Sequence, residues 1–180
     1  MIPTVFSERR EYITAGFLDE TYIINNAASI VQYAGLHVFA IISSVLHMSW
    51  VRAIAGRLED RLRYTSATCY NTFPVPPLTD HNKSDLTRCA EDILLAREAH
   101  FPATIADLYD PDAMPANLRE AHEHNDLALE RIYIGRRFKN DTERLEKLFE
   151  MYTEMTGREA GAEKTGGNKR GKRKSKGDEV

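Results

Sequence analysis

The stretch that decides the fold runs from Gly35 to Gly56, GLHVFAIISSVLHMSWVRAIAG. From Gln32 to Val51 no Asp, Glu, Lys or Arg occurs. Apolar residues occupy most helical faces, so the segment suits a membrane span or the centre of a globular core. Ser43, Ser44, His47 and Ser49 lie inside it, and no second span accompanies it. We expect one buried helix of about twenty residues at the centre of a protein that stays off the membrane. Gly56 sits where a C-terminal cap is expected. His47, inside this helix, reads as a hydrogen-bonded structural histidine rather than a catalytic one.

Working outward, "REYITAGFLDE" (Arg10–Glu20) and "TYIINNAASIVQY" (Thr21–Tyr33) look like two short strands, with Asn25-Asn26 marking a turn. After Gly56 the period becomes two. Arg57 to Tyr70 reads as a strand or hairpin, with Asp60 interrupting its apolar side and pointing to a turn or bulge. "NTFPVPP" (Asn71–Pro77) closes the module, since prolines at 74, 76 and 77 continue neither a helix nor a central strand. Beyond it the pattern is helical. Ser84 or Asp85 is the N-cap candidate of the first helix, with Leu86, Cys89, Ala90, Ile93 and Leu94 on one face. A short helix and turn follow in "TIADLYDPDAMP". The next helix ends at Gly135, and the last opens with Asp141 as its N-cap candidate. The fold class is α+β, mostly helical: a small mixed module with a long buried helix, then a helical bundle. The expected divisions are residues 1–78, 79–156 and a disordered basic tail at 157–180.

Charge divides the same way. Residues 1–77 carry 6 Lys+Arg against 6 Asp+Glu, residues 78–156 carry 10 against 17, and residues 157–180 carry 8 against 4. The acidic middle is unsuited to DNA, so a nucleic-acid surface belongs in the first module, with the tail's "KRGKRKSK" as an auxiliary or a merely solvated end. Cys69 and Cys89 have no CxxC partner, which fits a reduced, cytoplasmic protein. No Gly-rich phosphate loop, GxGxxG, GxSxG or HExxH occurs. His122 and His124, two apart on a helix, point to different faces and read as surface residues rather than metal ligands. We expect no catalysis from this chain by itself.

Three words of sequence carry a resemblance. "SSVLHMSWVRAIAGRLEDRLRYTSATCYNTFPVPP" (Ser43–Pro77) resembles the late part of the target-recognition domain of MmeI-like single-chain type II restriction–modification enzymes. "LYDPDAMPANLREAHEHNDLALERIYIGRRFKNDTERLEKLFEMY" (Leu108–Tyr152) is similar to the helical domain that ends the same proteins, and "RREYITAGFLD" resembles an earlier strand. Thr65 stands where the family has serine, and Val75 where it has tryptophan. The resemblance implies a C-terminal part of a larger enzyme: a DNA-reading piece of an adenine-N6 DNA methyltransferase that uses S-adenosylmethionine, fused to a nuclease that uses Mg. The family's Asn-Pro-Pro-aromatic motif and cofactor loop do not occur here, so no cofactor is expected in this chain. Its expected partners are double-stranded DNA and the methyltransferase domain.

In "GRLEDRLRYT", Arg57, Glu59, Arg61 and Arg63 form one polar row if the segment is extended, with Leu58, Leu62 and Tyr64 anchoring the other side. Arginine suits the acceptors of guanine and glutamate the amine of cytosine, so Glu59 and Arg61 are the candidate readers of one G·C pair. The resemblance supports this, because family members carry different charge pairs at the two positions. Arg57 and Arg63 are candidates for phosphate contacts. Tyr64, Thr65, Arg52, Ser43, Ser44 and His47 are candidates for backbone contact or support. The alternative is a helical protein-docking module without direct DNA contact, the charged row being a solvated face.

Overall fold

The apolar stretch folds as two helices, α1 (Leu36–Ile42) and α2 (Val45–Ile54), not one. Their axes differ by 54°. The break is chemical. Ser44 leaves helical geometry, its hydroxyl donates to the Ile41 carbonyl at 2.7 Å, and it accepts from the His47 amide at 3.1 Å as the N-cap of α2. A serine in this role competes with the helical ladder and starts a new helix in another direction. Among the described residues no single helix is long and apolar enough to cross a membrane, and most of α1 and α2 is buried.

The structure, a computed structural model, describes the backbone of residues 1–166 and side-chain surroundings as far as Arg158. Before α1 come β1 (Ile2–Pro3), β2 (Val5–Ser7) and β3 (Ala28–Ser29); after α2 come β4 (Gly56–Leu58) and β5 (Arg61–Arg63). β1 pairs antiparallel with β3, and the order β2-β5-β4 makes a three-stranded antiparallel sheet. A π-helical turn (Ser66–Tyr70) leads to α3 (Asp80–Glu98), α4 (Ile105–Leu108), α5 (Ala116–Ile134) and α6 (Asp141–Gly166). The fold is α+β and mostly helical, as expected. The later helices build around α1 and α2: α3 packs on α1 and α5, and α6 packs on α2. One core joins Leu46, Met48 and Val51 to Leu86, Ile93, Leu118, Leu129 and Leu148.

The break exposes backbone groups that a continuous helix would have paired. The polar face of α5 takes them up. Asn125 Nδ2 donates to the Ala40 carbonyl at 2.8 Å. His122 Nδ1 lies 3.0 Å from the Ser43 carbonyl, which can only accept, so Nδ1 carries the proton. His122 Nε2 then accepts from the Tyr109 hydroxyl at 2.6 Å, and that oxygen accepts from Arg97 Nε at 2.7 Å. Asp126 Oδ1 accepts from the Val45 amide at 2.8 Å, the first residue of α2, and Oδ2 from the Tyr12 hydroxyl at 3.1 Å. A carboxylate there complements the positive helix terminus. A second chain ties α6 in. Buried Glu130 accepts from Arg144 Nε at 2.7 Å and from the Phe138 amide at 3.1 Å. Arg144 also reaches Asp141 at 2.8 Å, and Asp141 accepts from the Ser49 hydroxyl at 2.9 Å.

Several local expectations change. His122 is fully buried rather than superficial. Arg10–Glu20 is not a strand: Tyr12 to Ala15 are buried, but side chains hold them, with Tyr12 stacked on His122 at 4.0 Å and Arg97 donating to the Ala15 carbonyl at 2.7 Å. Of Thr21–Tyr33 only Ala28–Ser29 pairs, because β1 presents only two residues to pair with; Ile23 and Tyr33 are fully exposed. The first long helix starts earlier than Ser84 or Asp85, since Thr79 Oγ1 accepts from the Asn82 amide at 3.1 Å. Asn140, not Asp141, caps α6, accepting from the Glu143 amide at 3.0 Å. α6 runs to Gly166, past Gly157 where order was expected to end. The rest of the expected basic tail, 167–180, lies outside the described residues. Gly135 ends α5 with φ +77°, a conformation that favours glycine.

Two predictions follow from the buried polar groups. Burial pushes the imidazoles of His47 and His122 down to about 3, and pushes the Asp126 carboxyl up to about 7. The unfolded histidines take up protons below about pH 6.5 that the folded ones refuse, so stability falls as pH drops towards 4. Asp126 works the other way, holding its proton in the fold at pH values where the unfolded chain has released it. With two groups against one, urea unfolding at pH 5 has a lower midpoint than at pH 6.5, a loss on the order of 2 kcal/mol, and Asp126→Asn widens the gap. Separately, Arg144→Leu leaves Glu130 buried without its main partner and lowers unfolding free energy by about 3 kcal/mol.

Candidate nucleic-acid interface

β4 and β5 form a hairpin with a two-residue turn, because Leu58 pairs directly with Arg61. Glu59 and Asp60 are the turn. Glu59 has φ +56°, the left-handed region that glycine occupies without cost at the first position of such turns. A non-glycine residue there costs on the order of 1 kcal/mol.

The register sorts the side chains. Directly opposed residues share a face and alternate residues change face. Arg57, Leu62 and Phe6 therefore share the inner face, with Leu62 and Phe6 buried. Leu58, Arg61 and Ser7 share the outer face with Arg63 and Val5. The expected single row of four charges is thus split by the turn. Arg61 and Arg63 stay together, about 7 Å apart along one strand. Arg57 turns to the edge of the inner face and pairs with Glu8. Leu58 is 48% exposed and seats nothing, a correction that follows from its pairing with Arg61.

Glu59 and Arg61 meet at the tip, Arg61 Nη2 to Glu59 Oε2 at 3.0 Å, with both side chains open to solvent. The pair offers a fork of donors beside a pair of acceptors on one exposed surface. Behind the hairpin the candidates divide. Tyr64 is buried, and its hydroxyl lies 3.0 Å from His47 Nε2. His47 sits edge-on to Phe73 at 4.5 Å. Ser43 and Ser44 are buried at the helix break. All four side chains are buried. Thr65 caps the π-helical turn, accepting from the Thr68 amide at 3.1 Å. Arg52 donates to the Arg10 carbonyl at 2.9 Å. Trp50 is core: its indole donates to Thr72 Oγ1 at 3.1 Å, and its ring packs 5.0 Å from Phe149. Among the described residues no group of three or more His, Cys, Asp or Glu gathers to hold a metal.

Sequence reading overlooked β2 and the turn after it. Ser7 lies beside Arg61, and Glu8, Arg9 and Arg10 follow at the tip end of the sheet. The run "ERR" was the available signal, but only the pairing places it there.

Comparison with known proteins shows the family. The family described as "MmeI, target recognition domain" matches residues 1–77, and "MmeI, C-terminal domain" matches residues 78–158. The chain belongs to the MmeI family. It is 40% identical over 158 residues to DNA methyltransferase A of Bacillus subtilis (strain 168), covering 88% of this chain and 18% of that protein. It also resembles the solved structure of the Type IIL restriction-modification enzyme MmeI in complex with DNA, with TM-score 0.84 and 36% identity, covering 87% of this chain and 21% of that one. The chain therefore spans about a fifth of the length of these two relatives. The hairpin and the helix break both lie inside the target-recognition match, and α3 to α5 lie inside the C-terminal match.

The strained turn gives a stability prediction for this MmeI-family chain. Glu59→Gly keeps or raises the thermal unfolding midpoint, whereas Glu59→Val lowers stability by about 1 kcal/mol, because a β-branched side chain tolerates positive φ poorly.

Proposed function

We propose that this chain reads DNA sequence for a restriction–modification enzyme, and that the tip of the β4–β5 hairpin is the reading element. The observation that carries the proposal is the exposed Glu59–Arg61 pair at the tip, within the region that matches a target-recognition domain. Arg61 addresses guanine O6 and N7, and Glu59 accepts from cytosine N4 of the same base pair. Separating the two side chains gives up an exposed ion pair worth about 0–1 kcal/mol, while a good base contact returns about 1–3 kcal/mol of discrimination, so the exchange favours reading. The positive φ of Glu59 supports the same view: glycine is cheaper in the turn, so a charged side chain there points to a use for it. Arg63, exposed on the same face as Arg61, and Arg57, at the sheet edge, hold phosphates and set register. Tyr64, His47, Ser43 and Ser44 support the hairpin from beneath.

In this proposal the longer protein acts as an adenine-specific DNA methyltransferase in the cytoplasm. Methyl transfer from S-adenosylmethionine, and any Mg-dependent cleavage, belong to regions beyond the matched residues. The methyltransferase domain is then a partner of this chain.

The test is selection of bound duplexes from a pool with randomised positions, using the 180-residue chain. The exchange Glu59→Lys with Arg61→Asp changes the preferred base at one position and leaves the others as they were. Unchanged preference at every position removes the base-reading assignment. DNA binding at low salt that survives this exchange together with Arg57→Ala and Arg63→Ala places the DNA contact elsewhere on the chain, and no duplex binding by the unaltered chain favours the docking alternative.

A further inference from the structure

β2 ends at Ser7, opposite Arg61, and the chain turns at once. The Arg9 amide donates to Ser7 Oγ at 3.2 Å and the Arg10 amide to the Ser7 carbonyl at 3.2 Å. Arg52 pins this turn from α2 by donating to the Arg10 carbonyl. Arg9 and Arg10 thus leave the sheet at its hairpin-tip end, two and three residues beyond the pairing with Arg61. Strand spacing and rise place them within roughly 10 Å of Arg61, about three base steps along a DNA strand.

The Arg9 guanidinium is 67% exposed and meets Asp112 Oδ2 at 2.7 Å, itself 77% exposed. Asp112 lies between α4 and α5, in the C-terminal domain, so this ion pair joins the two family domains at the edge of the reading surface. Beside it is a shallow concavity of about 190 Å³ lined by Ser7, Arg9, Arg10, Tyr109 and Asp110, among others. The Asp110 carboxylate is turned to its own loop, accepting from the Asp112 amide at 3.0 Å.

We propose that Arg9 binds a phosphate of the DNA backbone flanking the base pair read by the hairpin, and that Asp112 competes with that phosphate for Arg9, while Arg10 is held in the turn by donating to buried Thr14 Oγ1 at 3.1 Å. The inference rests on the DNA-reading proposal and extends it to the second domain. Guanidinium binds phosphate in a bidentate, charge-assisted way. An exposed arginine–aspartate pair is weak and gives way to it. The C-terminal domain therefore sets affinity without touching a base, and its effect is equal for all sequences.

The experiment is duplex binding by the 180-residue chain, followed by fluorescence anisotropy over a series of salt concentrations. Asp112→Asn tightens binding roughly two- to five-fold on specific and unrelated duplexes alike. Arg9→Ala weakens binding and lowers the slope of log K against log salt by about 0.9, the signature of one phosphate contact. In the Arg9→Ala background, Asp112→Asn has no effect. An equal gain from Asp112→Asn in that background, or an unchanged salt slope for Arg9→Ala, overturns the proposal. Both side chains are exposed, and thermal unfolding confirms that the variants fold. If the unaltered chain binds no duplex at any salt, the reading proposal itself fails. If it binds but Arg9 and Asp112 are uncoupled, only this inference fails.

Discussion

The structure depends on the joint between α1 and α2. A continuous apolar helix would have needed nothing from its neighbours except shape. Breaking it at Ser43-Ser44 leaves the Ala40 and Ser43 carbonyls and the Val45 amide buried without helical partners. Three residues of α5, His122, Asn125 and Asp126, meet these three groups one for one. A buried unpaired polar group costs about 1–3 kcal/mol, so the joint and the face of α5 stand or fall together. This is why the two family domains share one interior. The target-recognition region supplies the broken helix, and the C-terminal region supplies the groups that make the break tolerable.

From the joint the order passes outward to the hairpin. α2 leaves the break in a direction that brings His47 against Tyr64, and Tyr64 follows β5 directly. Leu62 on β5 and Phe6 on β2 close the core beneath the sheet. The outer face is thus held from below by buried groups, while its own side chains remain in solvent. A rigid base under an exposed, charged tip is what a reading element needs, because the reading side chains must arrive with little freedom left to lose. Arg52 extends the same support sideways to the turn after β2.

Much of this was legible in the chain itself. The uncharged run from Gln32 to Val51 marked the centre of the core, and the change to a period of two after Gly56 marked the hairpin. Prolines 74, 76 and 77 marked the exit, and the glycine after Ile134 marked a helix end. The acidic balance of residues 78–156 directed attention to the first module for any DNA surface. Other features misled. Tyr22, Ile23 and Ile24 have strand propensity, yet the β1 edge takes only Ala28 and Ser29. His124 is exposed as expected, but His122 looked superficial too, because helical spacing says which residues share a face but not which face another element covers. Ser84, Asp85 and Asp141 are sound capping types, but Thr79, more than a turn before Ser84, and Asn140, just before Asp141, are the residues that cap the helices.

The sequence by itself determined what kinds of residues would be inside, and that Glu59 and Arg61 carry opposite charges two positions apart. These properties are local, since composition and periodicity act over a few neighbouring residues. Only the tertiary structure decided that the central helix breaks, that His122 and Asp126 are buried beside the break, and that Arg57 leaves the charged row while Arg61 and Glu59 meet at a strained turn. It alone brought Ser7 beside Arg61 and Asp112 onto Arg9, positions separated by 54 and 103 residues. Contacts of that range are set by which buried groups must find partners, and that accounting closes only when the whole chain is folded.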